Sequence, residues 1–312
     1  MRWTLRLNLL EQCQYRCGYC LPGSLAAPTR SSRWLSAADY GRLGRLFAAM
    51  GVEKVRLTGG EPLLRDDVED IVAALRGAMP AATIALTTNG RRLGERLQGL
   101  ARAGLDRATV HVDSLVPERY RALMGDGDVG EVIGTLVRAH ALLGGAKLNV
   151  VVQRGQNDDE LLDFLALGRS TGVEVRFIEL MNTGSARDYV RRAFVSGKEI
   201  LSRLGPVAPL PRRRPADPAA LYCTREGQVF GLIASDTQPF CGQCNRLRLM
   251  PDGRLTGCLY QRDAVGLGDA LKQGESDAEL FSLVSAAMAA KRSHHPSAEP
   301  AARPFSMSEA GG

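Results

Sequence analysis

No stretch of this chain approaches the roughly 18 consecutive apolar residues that a membrane span needs. The opening MRWTLRLNLLEQCQYRC has too short an apolar run for a secretion signal and no small-residue cleavage site. Both absences predict a cytoplasmic protein that works away from the membrane. A large excess of one charge is also missing: 40 Lys and Arg face 34 Asp and Glu, a formal +6. That mild basic balance fits a nucleic-acid surface weakly and a polyanionic small substrate equally well, and with the motifs below no nucleic-acid partner is expected. The 312 residues are 45% hydrophobic and 24% charged, which excludes a disordered, collagen-like or coiled-coil chain. A chain of this length buries a substantial core without disulfides, as one large domain or two smaller ones.

Seven cysteines are present, and six of them fall into two tight groups. An odd count in a reducing compartment argues against a disulfide framework, and thiolates this closely spaced more often hold metal. Cys13, Cys17 and Cys20 read C-x3-C-x2-C, with no fourth ligand nearby. Three thiolates suit an iron–sulfur cluster with one iron left open, whereas structural zinc takes four protein ligands. Cys241, Cys244 and Cys258 read C-x2-C-x13-C, a spacing that a zinc ribbon completed by Cys223 or a histidine would share. Taken together, two clusters with open sites are the economical reading, with a zinc-binding nucleotide or RNA module as the alternative of a different class. Cys223 is left as a free thiol.

Up to about residue 205, short apolar strands alternate with amphipathic helices. The pattern predicts strands at Trp3–Leu10, Lys54–Thr58, Thr83–Thr88, Arg107–Asp113, Lys147–Val152 and Val173–Leu180. It predicts helices near Ala37–Met50, Asp66–Ala78, Leu93–Ala103, Pro117–Met124, Gly130–Leu143 and Asp158–Ser170. Six such repeats imply an α/β fold, a partial (β/α)6 TIM-type barrel over residues 1–205, its site at the C-terminal strand ends. Polar and glycine-rich residues stand there: Thr58 to Pro62, Thr87 to Gly90, His111 to Ser114 and Glu179 to Met181. Residues 206–220 read as a proline-rich linker in which Arg212–Arg214 is a solvated charge run. Residues 221–312 read as a small cysteine-bearing domain, with Asp252-Gly253 as a hairpin turn and a polar tail from 292.

Cys13-x3-Cys17-x2-Cys20, with Tyr19 before the last cysteine, resembles the radical S-adenosylmethionine (SAM) signature, and Gly59-Gly60-Glu61-Pro62 resembles that superfamily's SAM-binding motif. The segments RLTGGEPLLRDD, LTTNG, KLNVVVQRGQNDDELLDF and FCGQCNRLRLMPDGRLTGCLY, and the final Gly311-Gly312, resemble the GTP 3′,8-cyclase family of molybdenum cofactor biosynthesis. The resemblance covers essentially the whole chain. It implies two [4Fe–4S] clusters and SAM as cofactors. Cys13, Cys17 and Cys20 would hold the SAM-cleaving cluster, and Cys241, Cys244 and Cys258 an auxiliary cluster that binds guanine. Tyr19, Gly59, Gly60, Glu61, His111 and Met181 fall at SAM positions. Arg6, Lys54, Arg56, Thr87, Lys147, Arg176, Arg246, Leu247 and Arg248 fall at or beside GTP positions.

The implied chemistry is radical: a 5′-deoxyadenosyl radical takes the ribose 3′ hydrogen of GTP, and the carbon radical closes on C8 of guanine. The product, (8S)-3′,8-cyclo-7,8-dihydroguanosine 5′-triphosphate, would pass to cyclic pyranopterin monophosphate synthase. A low-potential electron donor would be a further partner, and the resemblance leaves monomer and homodimer open. Elementary chemistry agrees, because a triphosphate needs convergent cations and guanidinium binds its oxygens bidentately. Lys54 and Arg56 share one strand face by period two, as do Arg246 and Arg248. The sequence departs from the family at His111, where serine is usual, at Leu10-Glu11-Gln12 and in its tail. Those departures suit an alternative, a two-cluster radical SAM paralogue acting on another nucleotide, a peptide or a small metabolite.

Overall fold

The computed structural model describes residues 2–20, 34–181, 187–260 and 263–291. The final Gly311-Gly312 and the tail from 292 lie outside the described residues. Six strands rich in Val, Ile, Leu and Thr form the expected parallel series: β1 (Trp3–Asn8), β2 (Val52–Thr58), β3 (Thr83–Thr88), β4 (Arg107–His111), β5 (Ala146–Val152) and β6 (Glu174–Glu179). Between them run α1 (Ala37–Ala49), α2 (Val68–Ala78), α3 (Leu93–Ala103), α4 (Pro117–Met124), α5 (Val129–Leu142) and α6 (Leu161–Thr171). Ser36 and Asp39 form a capping box that starts α1. Left-handed glycines Gly104, Gly125 and Gly172 end α3, α4 and α6.

Two helix starts differ from expectation for one reason, that the acidic residues are engaged elsewhere. Asp67 binds Arg65 at 2.7 Å, so α2 begins at Val68. Asp158 and Asp159 hold Arg203 and Arg119 at 3.0 and 2.7 Å, and α6 begins only at Leu161.

After α7 (Arg187–Ala193) and α8 (Gly197–Arg203) the chain does not leave the sheet. Strands β7 (Val207–Leu210), β8 (Ala220–Thr224) and β9 (Val229–Ile233) extend its β6 edge, with β9 parallel to β6. Strands β10 (Arg246–Leu249), β11 (Arg254–Thr256) and β12 (Val265–Gly266) extend the opposite edge, with β10 parallel to β1. One sheet of order β12-β11-β10-β1-β2-β3-β4-β5-β6-β9-β8-β7 results among the described residues. The proline-rich stretch therefore contains a strand, β7, and is not a free linker along its length. Asp252-Gly253 does turn the chain from β10 to β11, with Gly253 at φ +86°. α9 (Leu267–Lys272) and α10 (Asp277–Ala289) close the described chain.

Strict alternation along the strands gives the sheet two unlike faces. Leu5 and Leu7, Val55 and Leu57, Leu148 and Val150, Val175 and Phe177, and Leu247 and Leu249 are buried in one apolar core. The intervening residues, Arg6, Lys54, Arg56, Lys147, Asn149, Arg176, Arg246 and Arg248, turn to the other face and line a cavity. No described helix is long and apolar enough to cross a membrane.

A candidate active site inside the curved sheet

The cavity has a volume of about 950 Å³, the upper part of the range for small-molecule sites and room for more than one ligand. All six clustered cysteines line it. Register places its basic residues in rows. Arg248, Arg6 and Arg56 are partners across β10, β1 and β2, and Arg246, Thr4 and Lys54 form the next row. Thr87, Thr109, Lys147 and Glu174 run in register across β3 to β6. Arg56 donates to Thr87 Oγ1 at 2.9 Å and to Thr109 Oγ1 at 3.1 Å. Lys147 Nζ meets Glu174 Oε1 at 2.6 Å. Gly231 on β9 is what lets Arg176 lie flat on the sheet, since a Cβ there would come within 2.9 Å of its Cγ.

So many like charges in one buried space disfavour their own ionisation. Burial, then Arg248, Arg56 and Arg246, hold Arg6 well below the usual arginine range. Burial, then Arg176 and Arg246, bring Arg56 down to about 9, and burial with Arg246 brings Arg248 to about 10. Burial and Arg56 bring Lys54 to about 7. The Nε of Arg176 and the Oδ1 of Asn149 are buried without a hydrogen-bond partner among the described residues. An anion would offset this crowding of like charges, and the orphaned Arg176 Nε is a donor it would satisfy, whereas Asn149 Oδ1 is an acceptor that calls for a donor.

The first cysteine group follows β1. Cys13 Sγ accepts from Tyr15 N at 3.4 Å and from Asn89 Nδ2 at 3.7 Å, and Cys20 N donates to Cys17 O at 2.9 Å. Burial and Glu61 push Cys13 up to about 11, and burial, Asp113 and the neighbouring thiols push Cys17 higher than an ordinary thiol. The glycines beside it serve this loop. Gly60 N donates to Leu10 O at 2.8 Å, and a Cβ on Gly60 would lie 2.1 Å from Gln12 O. Gly59 stands at φ +152° with its Cβ position 2.5 Å from Leu10 O. The two glycines are thus required for backbone-to-backbone packing of the GGEP turn on the cysteine loop, while both also face the cavity. Glu61 does not line the cavity. Its buried carboxylate accepts from Leu63 N, Thr88 Oγ1 and Asn89 N at 3.0, 2.8 and 2.7 Å and so ties the turn to the end of β3.

Tyr19, His111 and Met181 all face the cavity. Tyr19 Oη contacts His111 Nε2 at 2.5 Å and donates to the buried Asp113 Oδ2 at 2.9 Å. Asp113 also accepts from Val151 N at 2.9 Å and lies 3.1 Å from His111. His111 therefore stands within a fixed hydrogen-bonded group.

The second cysteine group is built from two segments. Cys241 and Cys244 sit in a single 3-10 turn between β9 and β10, and Cys258 follows β11. Arg246 donates to Cys244 Sγ at 3.8 Å, and Tyr260 N to Cys258 Sγ at 3.5 Å. Lys291 Nζ bridges Arg246 O and Gly257 O at 2.8 and 2.6 Å. Burial alone would raise Cys244, yet Arg246 and Lys291 outweigh it and leave this thiol below its ordinary value. Neither group, with any described His, Asp or Glu, converges on a point where one metal ion would sit. As a donor set, three thiols without a fourth protein ligand fit an iron–sulfur cluster that leaves one iron open.

Every expected site residue faces this cavity except Glu61 and Leu247. Leu247, between the two inward arginines, points into the core. Residues that sequence reasoning missed also line the cavity: Thr109, Asn149, Asp217, Lys291, and Arg213 and Arg214, which are solvated as expected yet border it. Strand periodicity would have flagged Thr109 and Asn149. Nothing in the sequence marks the others. Cys223, on β8, lies away from the cavity, its Sγ 3.4 Å from Thr224 O.

Residues 7–168 match the radical SAM superfamily, and residues 173–297 match Molybdenum Cofactor Synthesis C. The GTP 3′,8-cyclase of Aquifex aeolicus is 41% identical over 273 residues, 86% of this chain and 85% of its own. GTP 3′,8-cyclase 1 of Mycobacterium tuberculosis is 37% identical over 294 residues, 91% of this chain and 82% of its own. Molybdenum cofactor biosynthesis protein 1 of Mus musculus is 39% identical over 93% of this chain, which spans 46% of that longer protein. Among solved structures, Streptococcus suis SuiB bound to S-adenosylmethionine superposes with a TM-score of 0.64 at 14% identity, over 86% of this chain and 64% of that one, a likeness of fold alone.

Proposed function

The chain belongs to the GTP 3′,8-cyclase family of radical SAM enzymes, and from that premise we propose that its cavity converts GTP to the 3′,8-cyclised nucleotide, an early step of molybdenum cofactor synthesis. The observation that carries this reading is the shared cavity, with a cysteine triplet on either side of one dense array of cations. Membership of the superfamily brings a [4Fe–4S] cluster and SAM. Cys13, Cys17 and Cys20 would hold that cluster, and Cys241, Cys244 and Cys258 a second one beside the guanine. The first cluster, when bound, supplies the electron that cleaves SAM to methionine and the 5′-deoxyadenosyl radical.

The protein's own part is binding, orientation and exclusion. Tyr19, Gly59, Gly60, His111 and Met181 form the wall for SAM, with Glu61 fixing the turn from behind. Arg6, Lys54, Arg56, Thr87, Lys147, Arg176, Arg246 and Arg248 hold the triphosphate, and Leu247 contributes only backbone. The anion would return ionisation to the depressed cations: Lys54, near 7 without it, rises on binding, so binding above that pH takes up a proton. The ribose is thereby held between the radical source and the second cluster, away from water. A low-potential donor and transfer of product to cyclic pyranopterin monophosphate synthase complete the scheme, in the reducing cytoplasm that six reduced thiols require.

An anaerobic assay tests the reading. Protein reconstituted with iron and sulfide is given SAM, GTP and a reductant, and products are identified by mass spectrometry. 5′-Deoxyadenosine with an isomer of GTP cyclised between 3′ and 8 is the expected result. SAM cleavage with GTP untouched would move the assignment to a paralogue with another substrate.

A further inference from the structure

The cation array has a contribution from outside the strands. Residues 211–219 cross the cavity where β5 and β6 begin, and they bring Arg213, Arg214 and Asp217 to its wall. This strap is tied down: Arg246 donates to Ala216 O at 2.9 Å, Asp217 N to Arg214 O at 3.0 Å, and Arg212 to Asp217 O. Arg213 pairs with Glu174 Oε2, while Lys147 holds the other oxygen at 2.6 Å.

We propose that Arg213 is a further substrate-binding residue, which exchanges Glu174 for the terminal phosphate of the nucleotide and so reads the third phosphate. The inference rests on the proposed function, since it takes a nucleoside triphosphate as substrate. Glu174 holds two cations of the same cavity, so one can leave without stranding the part-buried carboxylate. Arg213 is the one free to move: its side chain is 56% exposed, against 25% for Lys147 and 13% for Glu174. An ion pair that exposed is weak, whereas a guanidinium on a phosphate makes charge-assisted bonds in fork geometry. Position supports the terminal phosphate. Glu174 and Lys147 precede Arg176 and Asn149 on their strands, and so lie farther from the strand ends that carry the first cysteine group. A polyphosphate running from a ribose near those cysteines reaches Arg213 last. Asp217, which faces Lys54, Arg56, Arg176 and Arg246, already neutralises part of the inner array. The outermost phosphate then needs a cation of its own.

The test is calorimetric titration of the reconstituted enzyme with GTP and with GDP, for the parent, Arg213→Ala and Arg213→Lys. Arg213→Ala is expected to weaken GTP about tenfold, the size of one charged hydrogen bond, and to leave GDP within about twofold. Arg213→Lys recovers part of the loss. Equal losses for both nucleotides would make Arg213 a support for the strap and overturn the proposal, as would no loss for either. A parent enzyme that binds both nucleotides equally also overturns it, whereas one that binds neither overturns the proposed function with it.

Discussion

The two cysteine groups face one cavity but are made differently. The first is a continuous loop after β1, packed by Tyr15, Tyr19 and the GGEP turn, with Glu61 and Asp113 as the charged neighbours that act on Cys13 and Cys17. The second joins two separate segments and is bordered by Arg246 and Lys291. Buried carboxylates favour neutral thiols in the first group, whereas cations favour a thiolate at Cys244 in the second. Packing therefore shapes the first site in advance, whereas in the second charge prepares Cys244 while burial still raises Cys241. The basic array that would hold substrate also serves the second group, because Arg246 belongs to both.

The comparison breaks most sharply by removing one thiol from each group. Cys17→Ser is expected to lower SAM cleavage by at least ~10³-fold. Cys258→Ser is expected to keep SAM cleavage while losing the cyclised nucleotide. Quantifying 5′-deoxyadenosine and nucleotide product in the same anaerobic reactions checks both, and loss of SAM cleavage in both variants would show the groups to be inseparable. A smaller effect follows from Lys291→Ala, which removes a cation and two hydrogen bonds from the second group alone. Iron and sulfide bound per chain should fall toward half, roughly a severalfold loss at one cluster, because metal binding competes with protons for the thiolates. The deficit should widen as pH falls.

A further contrast is in the metal-free protein. At pH 8, iodoacetamide should modify Cys244 at least ~10-fold faster than Cys13, since thiolate population favours Cys244 by more than its lower intrinsic nucleophilicity takes back. Cys13, held near 11 by burial and Glu61, should keep gaining rate well above pH 9, while Cys244 levels off first. Peptide mapping of the alkylated residues gives the order, and equal rates would remove the electrostatic distinction.

Much of this was legible from residues whose effects are local. β3, α3 and α4 fall at their predicted bounds, with αL glycines ending both helices and Pro117 starting α4. Period-two spacing placed Lys54 with Arg56, and Arg246 with Arg248, on the cavity face. The same alternation sends Leu247 to the core, a consequence that motif matching alone overlooks. Register and return of the chain were not legible. That Arg248, Arg6 and Arg56 form one row depends on β10 pairing beside β1. Lys291 reaches the second cysteine group only because α10 packs against β11 and β12. Arg213 is exposed, as its proline-rich neighbourhood predicts, and its place beside the cavity was not legible, because only the antiparallel pairing of β7 with β8 sends the intervening strap there.

The placement of β10 also orders events during synthesis. β1 can pair with β2 early, but its other edge stays bare until a strand from the far end of the described chain arrives. Such non-local pairing forms late and slowly. A nascent chain would therefore expose the loop of Cys13, Cys17 and Cys20 to the machinery that delivers iron and sulfur well before β10 closes the sheet beside it. A chain stalled before residue 246 would leave β1 as a raw sheet edge beside a half-built basic pocket, which is a template for aggregation.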